Sequence, residues 1–293
     1  MKPSPFAYHR PHTVEEALSV LAEVSADGKV LAGGQSLVPL LSMRLAAPAH
    51  LVDINHIGGL DSIDVGNDVV RIGATVRHAQ LEHHDAAARA IPLLRQTVTY
   101  IAHPTIRNRG TSLGSIVHAD PSGELPAVLA LLDGEVEVMS EGGGRRIAAA
   151  DFFVGPLESA LVPGELAVAA SFRVPPPGSG SAWMEVARRH GDYALCGVGA
   201  VVTVDDDRRV TGARVGLISV GPGPVLVDLA DAMAGQDADE LAVADAAALV
   251  LTRIDAEDDI HASADYRRRL AAVLTERALR AAVRHRPGRA EAA

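Results

Sequence analysis

Only one cysteine, Cys196, occurs in the 293 residues of this chain. No disulfide framework can be drawn, and no Cys-ligated iron–sulfur cluster can be built from this chain. Aromatic residues make up 3% of the sequence, and 27 basic residues face 37 acidic ones, for a formal net charge of -10. Such a chain offers neither a cationic surface for phosphates nor rings for stacking bases, which argues against nucleic-acid binding. No apolar run approaches the ~20 residues of a membrane-spanning helix. The opening "MKPSPFAYHRPHTVEEAL" has no apolar core of a secretion signal. A soluble cytoplasmic protein is expected. The dinucleotide fingerprint G-x-G-x-x-G is also absent.

What is present is enough apolar material (48%) for a sizeable core, at a length that suggests two domains. Thr13 with Glu16 three residues on forms a capping box, opening a helix with Ala17, Leu18, Leu21 and Val24 on its apolar face. "KVLAGG" reads as a short strand, residues 37–45 as a helix stopped by Pro48, and "HLVDIN" (50–55) as the next strand, together a β-α-β-like unit. A strand at 69–73 precedes helical sequence, and 86–102 reads as helix restarted or kinked at Pro92. Residues 103–126 are polar and Gly-rich, and read as a long loop. "AVLALLDGEVEVMS" is helix, turn and strand, and "ELAVAASFRV" is a strand. The Pro/Gly/Ser run "PPPGSGS" (175–181) marks a linker, which places domains at 1–176 and 177–293. Three strands follow ("AWMEVA", "LCGVGAVVTVD", "RVTGARVGLISV"), with "DDDRR" as a charged turn, then helices at 226–234, 238–251 and 263–285. The class is α+β.

Two loops of small, donor-rich residues stand out. "AGGQS" (32–36) lies between a strand and a helix, where glycine permits close approach of a ligand and successive amides suit a phosphate. A plain change of direction explains this loop equally well when it is taken alone. "NRGTSLGS" (108–115) has the same character, and two such loops in one domain suit an extended ligand such as a pyrophosphate flanked by sugars and rings.

Rival readings attach to the same region. "GTSLG" (110–114) matches the G-x-S-x-G elbow of α/β-hydrolases, with His190, His261 and His285 downstream. Arg107, Asn108 and Arg109 before it make no buried strand, so a serine hydrolase is the remote alternative. His83, His84 and Asp85 are adjacent and cannot share a helix face as metal ligands; a solvated face is the simpler account. His118 and Asp120 suit a turn before Pro121, Cys196 and Trp183 suit packing, and the basic tail "RHRPGR" suits a frayed end.

The stretches "AGGQSLVPLLSMRLAAPAHLVDIN", "IRNRGTSLGSIVHADPSGELPAVLALL" and "RRHGDYALCGVGA" resemble the FAD-binding medium subunit of molybdenum hydroxylases of the carbon monoxide dehydrogenase and xanthine dehydrogenase type. The likeness runs over about residues 5–285. It implies a two-lobed FAD-binding domain of the PCMH type, followed by a small domain with a three-stranded antiparallel sheet and helices. It also implies that Val30, Leu31, Ala32, Gly33, Gly34, Gln35, Ser36 and Leu37 wrap the FAD pyrophosphate, with Thr111, Ser112, Gly114 and Ser115 as the second wall. By the same resemblance Ile101 packs near the flavin, Glu124 serves the adenosine side or its ribose with the candidate Asp120 in the same loop, Tyr193 covers a flavin face, and Leu166 adds an apolar contact. Two departures are Gln35, where histidine is common, and Leu113, where a first glycine is common.

The function so implied is electron transfer. A large partner subunit carries the molybdenum cofactor, a small one carries [2Fe-2S] clusters, and FAD in this chain receives the electrons and hands them to an acceptor. A heterotrimer, assembled as a dimer of heterotrimers, is the expected form, with no catalytic acid or base and no metal in this chain. A stand-alone FAD-dependent oxidase or reductase is the alternative.

Overall fold

The computed structural model describes residues 2–285. The basic tail, expected to be a frayed end, lies outside the described residues from position 286 onward.

The chain opens with β1 (Ala7–His9), α1 (Val14–Val24), β2 (Gly28–Leu31), α2 (Leu37–Met43) and β3 (His50–Asp53). The Thr13 side chain accepts from the Glu16 amide, and Glu16 reaches back to the His12 amide. These bonds satisfy donors that a helix start leaves open. Ala17, Leu18, Leu21 and Val24 are buried, as the sequence period requires. The three strands form a parallel sheet in the order β1-β3-β2. The register sets Leu31 beside Asp53, so the chain leaves two neighbouring parallel strands at the same end. Ligands of α/β units collect at that end.

A second lobe follows. Its sheet takes the order β4-β5-β10-β6-β7 from β4 (Ile63–Val65), β5 (Val69–Gly73), β6 (Glu135–Ser140), β7 (Gly143–Ala148) and β10 (Leu166–Arg173). Between β5 and β6 lie α3 (His78–Glu82), α4 (Asp85–Ala90), α5 (Pro92–Val98), α6 (Pro104–Arg107), α7 (Ser112–His118) and α8 (Glu124–Leu131). Pro92 opens α5, where its missing amide costs nothing. The helix expected to reach residue 102 ends at Val98, and the chain turns with Ala102 at positive φ. The loop expected at 103–126 is instead two short helices and the start of α8. Helices of four and seven residues are too brief to show a period against so polar a background. A short helix, α9 (Ala149–Phe152), and a small hairpin of β8 (Phe153–Gly155) and β9 (Glu158–Ser159) complete the lobe.

The remaining residues form an antiparallel sheet, β11 (Ser179–Ala187), β12 (Ala194–Val204), β13 (Val210–Ile218) and β14 (Val225–Asp228), followed by α10 (Ala230–Met233), α11 (Ala244–Leu251) and α12 (Ala264–Arg284). The three expected strands are joined by a fourth, so the helix expected at 226–234 is β14 plus one turn of α10. Four residues beside β13 gain ladder bonds that a sequence window does not register. The helix expected from 238 begins at Ala244. β12 is buried on nearly its whole length. The long helix α12 covers one face of this sheet, while α5 and α8 of the preceding lobe cover the other. Gly199 and Gly216 are cross-strand partners beneath α8, and a Cβ at Gly216 would stand 3.2 Å from the Ala127 carbonyl oxygen. Trp183, Ala194 and Ile218 of the sheet belong to the same apolar core as α5 and α8.

Candidate flavin site

Gly33 follows β2 by two residues, and its surroundings answer why it carries no side chain. A Cβ there would lie 2.5 Å from the Arg109 carbonyl oxygen, 2.7 Å from the Gly110 Cα and 2.8 Å from the Thr111 nitrogen. Backbone meets backbone, so the two loops singled out in the sequence touch. Gly34 has φ of +70°, and its carbonyl accepts from the Val38 amide at 2.9 Å, turning the chain into α2. The Gln35 amide donates to the Gly33 carbonyl at 2.9 Å. In the second loop Thr111 caps α7, its hydroxyl accepting from the Gly114 amide at 3.2 Å. Leu113 is 2% exposed, its side chain part of the apolar core.

Three groups outside the sequence-derived set hold the loops together. The Asn55 amide donates to the Ala32 carbonyl at 2.8 Å, and its oxygen accepts from Arg77 at 2.6 Å. Arg77 also donates to the Arg109 carbonyl at 2.5 Å. Asp53, at the end of β3, accepts from the backbone amide of Asn55 at 3.0 Å, and from Tyr8 across the sheet. Burial is the largest influence on Asp53 and opposes ionisation, but the bonds from Tyr8 and Asn55 outweigh it and leave the carboxyl below its ordinary value. Asn55 and Arg77 lay inside segments read as strand end and helix start. A carboxylate and an amide just past a parallel strand were the available signal.

A second cluster sits where the two halves of the chain meet. Glu124 begins α8, and Glu185 faces it from β11 with the Trp183 indole donating to it at 3.0 Å. Both carboxyls are pushed well above the ordinary range toward neutrality. Burial is the main cause in each, and for Glu124 the charges of Glu185 and Asp120 add to it. Tyr193 is 69% exposed, with its hydroxyl raised by its own partial burial and then by Asp120 and Glu124. The segment before it rests on the second lobe: Gly191, at φ +85°, lies against the His103 ring, and the His103 and His190 rings are 6.1 Å apart. Ser219 donates to Ser122 at 2.8 Å, tying the Asp120 turn to the end of β13. Asp120 itself caps that turn by accepting from the Ser122 amide.

The structure thus brings residues 32–36 against 109–111, and Asp120 and Glu124 toward Tyr193. Val30, Leu31 and Leu37 flank the first loop as half-buried positions. Ser112 is fully buried, whereas Gly114 and Ser115 remain partly accessible on the first turn of α7. Ile101 is 8% exposed, in a turn whose carbonyls accept from Arg107, itself paired with Glu82 at 2.8 Å. Leu166 is 2% exposed in the core at the start of β10. The hydrolase alternative does not survive. Ser112 follows an irregular segment rather than a strand, and the histidine beside it is the upstream His78 at 3.5 Å. Burial and the Arg107 charge push His78 down to about 4, and neither ring nor hydroxyl faces an open site. Cys196 is a buried thiol pushed up to about 12 by desolvation. His84 caps α4 and Asp85 pairs with Arg95, as a solvated face would have it.

FAD fits this framework. A dinucleotide needs backbone bare of side chains for its pyrophosphate, and Gly33, Gly34 and Gly110 leave such backbone where the two loops meet.

Comparison with known proteins points the same way. The profile of the FAD binding domain in molybdopterin dehydrogenase matches residues 4–177, and that of the CO dehydrogenase flavoprotein C-terminal domain matches residues 181–282. Among similar proteins are the 6-hydroxypseudooxynicotine dehydrogenase complex subunit alpha of Paenarthrobacter nicotinovorans, 39% identical over 98% of both chains, and the carbon monoxide dehydrogenase medium chain of Afipia carboxidovorans, 37% identical over 95% of this chain and 97% of that one. Caffeine dehydrogenase subunit beta of a Pseudomonas species is 39% identical over 95% of each. A chain of the Cu,Mo-CO dehydrogenase in its cyanide-inactivated form superposes with a TM-score of 0.92 at 34% identity, over 97% of this chain and all of that one.

Proposed function

This chain belongs to the FAD-binding medium subunits of molybdenum hydroxylases, and from that membership we propose how its own residues serve the flavin. It is the FAD-carrying, electron-transferring subunit of a heteromeric oxidoreductase whose other subunits carry the molybdenum cofactor and [2Fe-2S] clusters. FAD, when bound, accepts the electrons that leave those clusters and releases them to an acceptor. The observation that supports the residue assignment is the contact of the two loops through Gly33, where backbone meets backbone with no side chain between.

In this reading residues 30–37 and 111–115 surround the pyrophosphate, with local N–H donors offsetting the acidic field of the chain. Asp120 and Glu124 serve the sugar side. Tyr193 lies over the ring, Ile101 lines its apolar edge and Leu166 backs it from the core. The chain divides for this purpose at residues 176 and 177. The assembly in this reading is a dimer of heterotrimers in the cytoplasm. No helix among the described residues is long and apolar enough to cross a membrane. Relatives named for carbon monoxide, caffeine and 6-hydroxypseudooxynicotine share this subunit's architecture, so substrate choice belongs to the molybdenum subunit.

The test is cofactor release. Denaturing the purified yellow protein should free FAD and not FMN, identified by chromatography, because two loops plus a distant ring seat require the dinucleotide. Stoichiometric FMN, or a colourless protein that refuses added FAD, would overturn the assignment.

A further inference from the structure

The loops that would hold the cofactor belong to separate lobes, and each has its own local hydrogen bonds. Residues 32–36 hang from the end of β2. Residues 108–111 join two short helices. One set of side chains spans them, and none of it belongs to the cofactor-contacting positions expected of the family.

Arg77 lies at the centre. Its guanidinium donates through one nitrogen to the Arg109 carbonyl at 2.5 Å and through another to the Asn55 oxygen at 2.6 Å. Asn55 passes the link on by donating to the Ala32 carbonyl at 2.8 Å. Its own orientation is fixed by Asp53, which accepts from both its backbone and side-chain amides. The backbone of Arg77 is committed as well, its amide donating to Gln80 and its strand-like bridge joining Thr111. The two carbonyls so engaged flank the Gly33 contact, one on each loop. Arginine suits the task because its planar fork reaches two acceptors in fixed directions, which the single ammonium of lysine does not.

We propose that Arg77 and Asn55 form a latch that closes the first loop on the second, so that the loop junction that receives the dinucleotide is assembled before the cofactor arrives. A site assembled in advance loses less ordering free energy on binding. The proposed role is one of positioning, with both side chains acting through the loop carbonyls they hold. Their effect therefore differs from that of a contact. Removing either member opens the same link, so the losses do not add. This proposal rests on the flavin reading above.

The experiment uses the full chain stripped of cofactor. Arg77→Ala, Asn55→Ala and the double variant are compared with wild type by flavin-fluorescence titration with FAD and by amide hydrogen exchange of the apoprotein. Arg77→Lys is the conservative control. We expect each single alanine variant to weaken FAD binding by about tenfold, the double variant to be no weaker than the singles, and Arg77→Lys to recover little. In the apoprotein, amides at 33–36 and 110–114 should exchange faster while those of α8 and β10 keep wild-type protection. Wild-type affinity in the single variants, fully additive losses, or unchanged loop exchange would each overturn the latch. General loss of protection across β10 and α8 would also overturn it, because the pair would then be a support of the whole lobe. Failure of the wild type itself to bind FAD, with loop exchange still raised in the variants, would overturn the flavin reading and leave the latch as a tie between loops.

Discussion

At Gly33 it is the backbone of the second loop, and not a ligand, that leaves no room for a side chain. Gly33→Val would drive a branched side chain into Arg109, Gly110 and Thr111 before it reached any cofactor. FAD binding should be lost, and the thermal midpoint of the cofactor-free protein should fall too, since the strain is present without the ligand. A variant that loses FAD while its apoprotein melts as wild type would instead place the valine against the pyrophosphate alone. Tyr193 is the opposite case, an exposed aromatic with little packing to lose. Offset stacking on a ring is worth ~0.5–1.5 kcal/mol beyond burial, small beside many pyrophosphate contacts. Tyr193→Ala should keep FAD but shift its absorption and quicken reoxidation of the reduced complex by oxygen, read by stopped flow. Identical spectra and rates would make Tyr193 a surface residue of its own loop.

At the scale of elements, legibility followed length and period. α1, β5, β10, β12 and α12 were readable because four or more residues alternate or repeat against one core. The short helices α6 and α7 were not, since apart from the local Thr111 cap they rest on Arg107 and on the burial of Leu113 and Ile116, which are tertiary facts. The two loops were visible as glycine clusters. Their contact was not, because the latch residues Asn55 and Arg77 come from segments with no glycine and no obvious motif. β14 was hidden for the same reason, its partner being β13 rather than its own sequence. The packing of α8 on the sheet carries a prediction of its own. Gly216→Val places methyl groups against the Ala127 carbonyl and the Leu131 side chain, and should cost ~1–3 kcal/mol in urea unfolding. Unchanged stability would mean that α8 rides higher on β13 than described.

Across the whole molecule, two carboxyls from the two halves share one desolvated seam. Both are raised above their ordinary values, so the folded apoprotein binds more protons than the unfolded chain between the ordinary carboxylate range, near 4.5, and the neutral range. Stability from this pair is present at acid pH and lost as pH rises through neutrality. The thermal midpoint of the apoprotein should therefore decline from about pH 5.5 to about pH 8, and Glu185→Gln should flatten the decline. A midpoint that climbs over that interval, or a slope indifferent to Glu185→Gln, would show that the seam is wetter than its packing indicates.

The seam also governs what happens during synthesis. α8 is apolar all round, and the face it turns to the sheet is covered by β12 and β13, which leave the ribosome some seventy to ninety residues later. Until then the first half of the nascent chain exposes Leu131 and its neighbours and lacks Trp183, Ala194 and Ile218 from its core. Domain-by-domain folding, the usual habit of long chains, would leave the first half with α8 uncovered on the side of the sheet. A chain cut near residue 176 should therefore melt below the full chain and aggregate more readily, and equal melting would show that the seam adds little to the first half.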